Sequence, residues 1–90
     1  MIILFTRNRV RDYRRWKAVF DANLDSAHEA GLELINLWRS VEDSNNLFFS
    51  FRVRDIDRAR SFLNDPASQK AGEESGVIDG EYYFLESVQG

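Results

Sequence analysis

The chain has no cysteine, a single histidine (His28) and a single proline (Pro66) among its 90 residues. Each shortage closes a class of chemistry. Without cysteine there are no disulfides, iron–sulfur clusters or thiolate zinc sites. His28-Glu29 stands alone, with no HxH or HExxH spacing, so no metal motif is legible. No GxSxG turn presents a serine nucleophile. Gly72-Glu73-Glu74-Ser75-Gly76 has the glycines of a phosphate loop but the wrong charge. Long apolar runs are missing too: Met1-Ile2-Ile3-Leu4-Phe5 is followed at once by Arg7 and Arg9, far short of a bilayer span. The chain therefore reads as cytoplasmic, with no metal and no membrane partner. A net charge of −3 argues against nucleic acid as the main partner. The basic cluster Arg7, Arg9, Arg11, Arg14, Arg15 and Lys17 reads as a solvated face.

What is present is a repeat. Val10-Arg11-Asp12 recurs 43 residues later as Val53-Arg54-Asp55, each copy closing a strand-like run and opening a helix-like one. In parallel, Tyr13 falls on Ile56, Arg15 on Arg58, Lys17 on Arg60, Val19 on Phe62 and Phe20 on Leu63. Two strand–helix–strand halves make an α+β, ferredoxin-like βαββαβ domain over residues 1–90: a four-stranded antiparallel sheet with two helices on one face. Residues 2–10 read as the first strand. Asp12 is placed to cap a helix whose inner stripe is Tyr13, Trp16, Phe20, Asn23 and Ala27, and Gly31 ends it. A second strand is expected over Leu32–Val41, with Leu32, Leu34, Asn36 and Trp38 on one side and Ile35, Leu37, Arg39 and Val41 on the other. The turn-forming residues 42–46 lead into a third strand, Leu47–Val53. Asp55 caps the second helix, which Asp65-Pro66 interrupts; a short helical turn follows. Gly72, Gly76 and Gly80 then loosen the chain before a last strand, Glu81–Val88.

Both sides of these strands are partly apolar, and two helices cover only one. The uncovered side calls for a partner, which in a symmetric homodimer is a second copy of the chain. Candidate chemistry is sparse. Asn23 sits in the inner stripe of the first helix, where an amide must be satisfied: it either bonds a strand backbone or points into a cavity and orients a substrate oxygen. His28, near the end of that helix, is either an exposed neighbour of Asp25 or a general acid/base at a pocket mouth. Asn36 raises the same question as Asn23. Trp16, Phe20, Trp38, Tyr82 and Tyr83 are core or interface residues first, and could line a pocket for a flat, apolar or aromatic ligand.

The runs Asp12-Tyr13-Arg14-Arg15-Trp16-Lys17-Ala18-Val19-Phe20-Asp21, Ala30-Gly31-Leu32 and Trp38-Arg39-Ser40 bring a family into view. So do Asp57–Leu63 with Pro66, Ala71-Gly72, Gly76-Val77 and the closing Tyr83–Glu86. Together they resemble the small cyclase-like proteins of the dimeric α/β-barrel superfamily, which also holds the antibiotic-biosynthesis monooxygenases. The resemblance implies a homodimeric barrel with a cofactor-free pocket between helices and sheet in each subunit. Asn23 stands where the resemblance leads one to expect a histidine, with His28 a turn later; Asn36 and Trp38 echo an asparagine and tryptophan of cofactor-free monooxygenases. The implied function is a cofactor-independent cyclase, isomerase or monooxygenase acting on a small apolar or aromatic, polyketide-like, oxygenated substrate. The alternative is a non-catalytic, small-molecule-binding or structural homodimer.

Overall fold

Three aspartates set where the helices begin. Asp12 accepts the Arg14 amide at 3.0 Å, Asp55 accepts those of Asp57 and Arg58, and Asp65 accepts that of Ala67 at 2.8 Å. Each satisfies amides that a helix start would otherwise leave unbonded, worth about 0.5–2 kcal/mol per cap. The computed structural model describes residues 1–89 and follows the order β1 (Ile2–Val10), α1 (Tyr13–Glu29), β2 (Leu32–Arg39), β3 (Asn46–Val53), α2 (Ile56–Asn64), α3 (Pro66–Glu74) and β4 (Val77–Glu86). The strands form one antiparallel sheet in the order β2-β3-β1-β4. This is the ferredoxin-like βαββαβ arrangement, with β1 and β3 central, β2 and β4 at the edges, and the helices on one face.

The repeated Val-Arg-Asp phrase has a structural meaning. The backbone amide of Arg11 donates to the carbonyl of Gly76 at 3.0 Å, and that of Arg54 to the carbonyl of Gly31 at 2.9 Å. Both glycines are left-handed, with φ of +80° at Gly76 and +84° at Gly31, a conformation that is easy for glycine and strained for other residues. The helix arginines reciprocate: Arg15 Nε donates to the Glu74 carbonyl at 2.7 Å, while Arg58 Nη2 donates to that of Glu29. Each half thus ties the start of its helix to the end of the other half's, bringing cations to the carbonyl ends of helix dipoles. The core between sheet and helices is built on Leu4, Val10, Trp16, Leu47 and Ala59, all at 2 % exposure or less.

Three expectations need correction. β2 ends at Arg39 rather than Val41, and its two sides are not continuous. Leu34 pairs with Phe51 but Asn36 pairs with Ser50, so Ile35 is an extra residue, a β-bulge. Beyond the bulge the sides exchange: Leu37 joins Leu32 and Leu34 against the core, and Asn36 and Trp38 turn to the helix-free face. The last strand starts at Val77, four residues earlier than expected, and ends at Glu86. It reaches back because Val77 pairs with Val10 and Gly80 lies beside Asn8, so Gly80 belongs to the sheet. Finally, the turn after Pro66 is a nine-residue helix, α3.

Candidate functional site

Cross-strand partners share a face of the sheet, which sorts the candidate residues without ambiguity. On the helix side of β1 stand Leu4, Thr6, Asn8 and Val10, with Phe49 and Phe51 beside them on β3 and Tyr82 and Phe84 on β4. Above this floor, Trp16 stacks on Phe20 with centroids 4.5 Å apart, and Phe20 meets Phe49 edge-on at 5.1 Å. These rings pack the region under α1. Under α3 the side chains are small: Ser68, Ala71 and Gly72 of the helix and Ser75 just past its end line the space, and α3 itself has no buried residue. The mismatch leaves a cavity of about 260 Å³ between α1, α3 and the sheet.

The cavity wall is mostly apolar. Its polar side chains are Thr6 and Asn8 on β1, Asn23 on α1, Ser68 on α3, Ser75 at the C-cap of α3, and Tyr82 on β4. No aspartate, glutamate, histidine, lysine or arginine is among the lining residues, and Tyr82 contributes the one phenol. Asn23 donates through Nδ2 to the Val19 carbonyl one turn back, at 2.8 Å. That is its own helix rather than a strand backbone, and it leaves Oδ1 able to accept. Ser75 Oγ similarly donates to the Gly72 carbonyl at 2.7 Å.

Trp16, Phe20, Asn23 and Tyr82 therefore come together, and the other four candidates do not. His28 is exposed in the last turn of α1; its carbonyl accepts from Gly31 N and Arg54 Nη2, and its side chain does not line the cavity. The inner stripe of α1 passes through Ala27, which leaves residue 28 turned outward. Asn36, Trp38 and Tyr83 lie on the opposite side of the sheet, the first two because of the Ile35 bulge and Tyr83 because it pairs with Phe5. Thr6 and Asn8 were missed. Their signal was present: alternation places them in one row with Leu4 and Val10, two uncharged polar residues between apolar ends.

The helix-free face carries Ile3, Phe5, Trp38, Phe48, Tyr83 and Leu85. Trp38, Tyr83 and Leu85 are each about half exposed. Beside them Arg7 donates to Asp79 and Glu81 at 2.7 Å each and to Asn46 Oδ1 at 2.9 Å. Those bonds, first to Glu81 and then to Asp79, hold its pKa above the ordinary arginine value. Among the described residues no three His, Asp or Glu side chains gather as metal ligands, and no helix is long and apolar enough to cross a membrane.

No protein-family model matches the chain, and no curated protein matches it by sequence. Solved structures do match in shape. SnoaB, a cofactor-independent oxygenase from Streptomyces nogalater, superposes with a TM-score of 0.78 at 16% identity, covering 99% of this chain and 94% of that one. A provisionally assigned antibiotic biosynthesis monooxygenase from Bordetella bronchiseptica gives 0.78 at 15% identity, over 98% and 97% of the two chains. The fold is that of the antibiotic biosynthesis monooxygenases. An uncharacterized NIPSNAP domain protein from Burkholderia xenovorans shares it at a TM-score of 0.69 and 13% identity, over 98% and 95%. At such identities the likeness is one of architecture, and chemistry has to be argued from the cavity.

Proposed function

We propose that this protein is a cofactor-independent, monooxygenase-type enzyme that takes a small, largely apolar, oxygenated ring compound into the cavity between α1, α3 and the sheet. The observation that carries this reading is the cavity wall: apolar almost throughout, without a charged side chain, and set with Asn23, Thr6, Asn8 and Tyr82 as hydrogen-bonding groups. Such a wall has neither the histidines or carboxylates that hold a metal nor the cations that hold a cofactor phosphate. It suits a substrate that supplies its own reactivity. A ring compound with an acidified methylene loses one of its two protons, with the Tyr82 hydroxyl on the cavity wall to hydrogen-bond the oxygen that takes up the charge. The carbanion passes an electron to O2, and the radical pair closes a C–O bond. The resulting peroxide anion takes up a proton to become a hydroperoxide, which loses water together with the second methylene hydrogen to leave a ketone, so that one oxygen atom ends in the product and one in water. Asn23, Thr6 and Asn8 orient the substrate oxygen and stabilise charge developing on it. Cyclase or isomerase chemistry would need repeated proton movement, for which the wall holds no carboxylate or histidine.

The functional unit in this reading is a homodimer. The apolar, helix-free face joins that of a second copy, closing the two sheets into a barrel and removing Phe5, Trp38, Tyr83 and Leu85 from water. A second reading has its own support: the lack of a strong base at the cavity also fits a dimer that binds a small molecule without transforming it. Oxygen consumption separates the two. With a ring ketone bearing an acidic methylene, the oxygenase reading expects O2 uptake equal to ketone formed and dependent on the protein. Saturable binding with no uptake above the protein-free rate supports the binding reading instead. A monomer by native mass spectrometry would remove the barrel.

A further inference from the structure

Asn8 is the one feature of the cavity that the packing does not account for. It sits on the central strand with Leu47 as its neighbour on β3 and Gly80 on β4. Leu47 is fully buried and Asn8 is half-buried beside it, so its carboxamide stands at the border between core and cavity, where a ligand that covers it must offer a hydrogen bond to offset the hydration it displaces. Gly80 is matched to it. A Cβ at Gly80 would lie 2.7 Å from Asn8 Oδ1 and would also collide with the Arg7 carbonyl. No side chain fits there, and the Asn8 carboxamide lies over the bare backbone. A glycine inside an edge strand weakens that strand, and commonly marks a close approach of other atoms.

We propose that Asn8, seated over Gly80, is the specificity-determining residue of the cavity and selects an uncharged mono- or bicyclic compound through a ketone or phenol oxygen. A carboxamide can donate to a ketone and can accept from a phenol, so it serves either oxygen. The wall offers no cation to pair with a carboxylate and no anion to pair with an amine, so an ionised ligand would enter at the full cost of losing its water. The volume of about 260 Å³ lies just under the usual ~300–1,000 Å³ of ligand pockets, which sets the ring count low. This inference rests on the proposed function only in taking the cavity as the ligand site.

Equilibrium binding of four probes to the full chain tests it: naphthalene, 1-naphthol, 1-tetralone and 1-naphthoate. Wild type is expected to hold 1-naphthol and 1-tetralone about 10-fold more tightly than naphthalene, the scale of one net hydrogen bond, with 1-naphthoate weakest. Asn8→Leu should keep the melting temperature and bring the three neutral probes to similar affinity. Asn8→Ser should restore part of the preference. A preference for oxygenated probes that survives Asn8→Leu overturns the role of Asn8 while the cavity reading stands. Tightest binding of 1-naphthoate overturns the uncharged class. If wild type binds none of the four, the inference and the cavity reading fall together.

Discussion

The two halves of the chain descend the same path, strand, helix, strand, and fill the space above the sheet in opposite ways. The first half uses one 17-residue helix, α1, and drives Trp16 and Phe20 into the core. The second half meets Pro66 and divides its helical stretch into α2 and α3. At the repeat position of Trp16 stands Ala59, equally buried, and α3 turns only small residues inward. The cavity lies where the second half fails to supply what the first half does. A shared backbone plan therefore yields a packed side and an open side, and the difference resides in side-chain volume.

The largest expected effect tests the packed side. Trp16→Ala should cost about 3–5 kcal/mol in denaturant unfolding, because the ring stacks on Phe20 and also meets Tyr13 and Phe49. The converse change, Ala59→Leu, should cost about 1–3 kcal/mol by overpacking a site with no spare room. A mild effect of Trp16→Ala would mean that α1 is held by something other than its core. Next come the two left-handed glycines. Gly31→Ala and Gly76→Ala should each cost about 1–2 kcal/mol and agree with one another, since the nearest atoms to an added Cβ lie at 3.6 and 3.7 Å respectively and only the backbone conformation is strained. A marked inequality would break the equivalence of the halves.

On the open side, Gly72→Ala should stabilise by up to about 1 kcal/mol through helix propensity, because an added Cβ there meets nothing within 4 Å. Gly72→Leu should keep the thermal transition and abolish probe binding; binding that persists would move the ligand site elsewhere. The smallest pair is Arg15→Met and Arg58→Met, each expected to lower stability by about 0.3–1 kcal/mol through loss of a helix-end carbonyl partner. Only one of the two mattering would show that the reciprocal tie is one-sided.

Much of the fold was legible because its rules are local. Asp12 and Asp55 announce helix starts through their capping chemistry, and Pro66 announces the break because it can neither donate nor follow a helical residue comfortably. The site was legible only in part, for a related reason. Trp16, Phe20 and Asn23 follow from the period of one long helix. Asn36 and Trp38 did not follow from alternation along β2, because a period of two holds only until a residue is inserted. Asn8 and Thr6 were readable in β1, whose helix-facing row runs from Leu4 to Val10 without interruption.

By itself, then, the sequence determined the order of elements, their caps and the repeat that joins the halves. Each depends on neighbours a few residues away. Tertiary structure alone decided which face Asn36 and Trp38 occupy, where β4 begins, and that a cavity opens beneath α3. Strand register is set by the partner strand, and an empty volume is a property of surfaces that meet from distant parts of the chain.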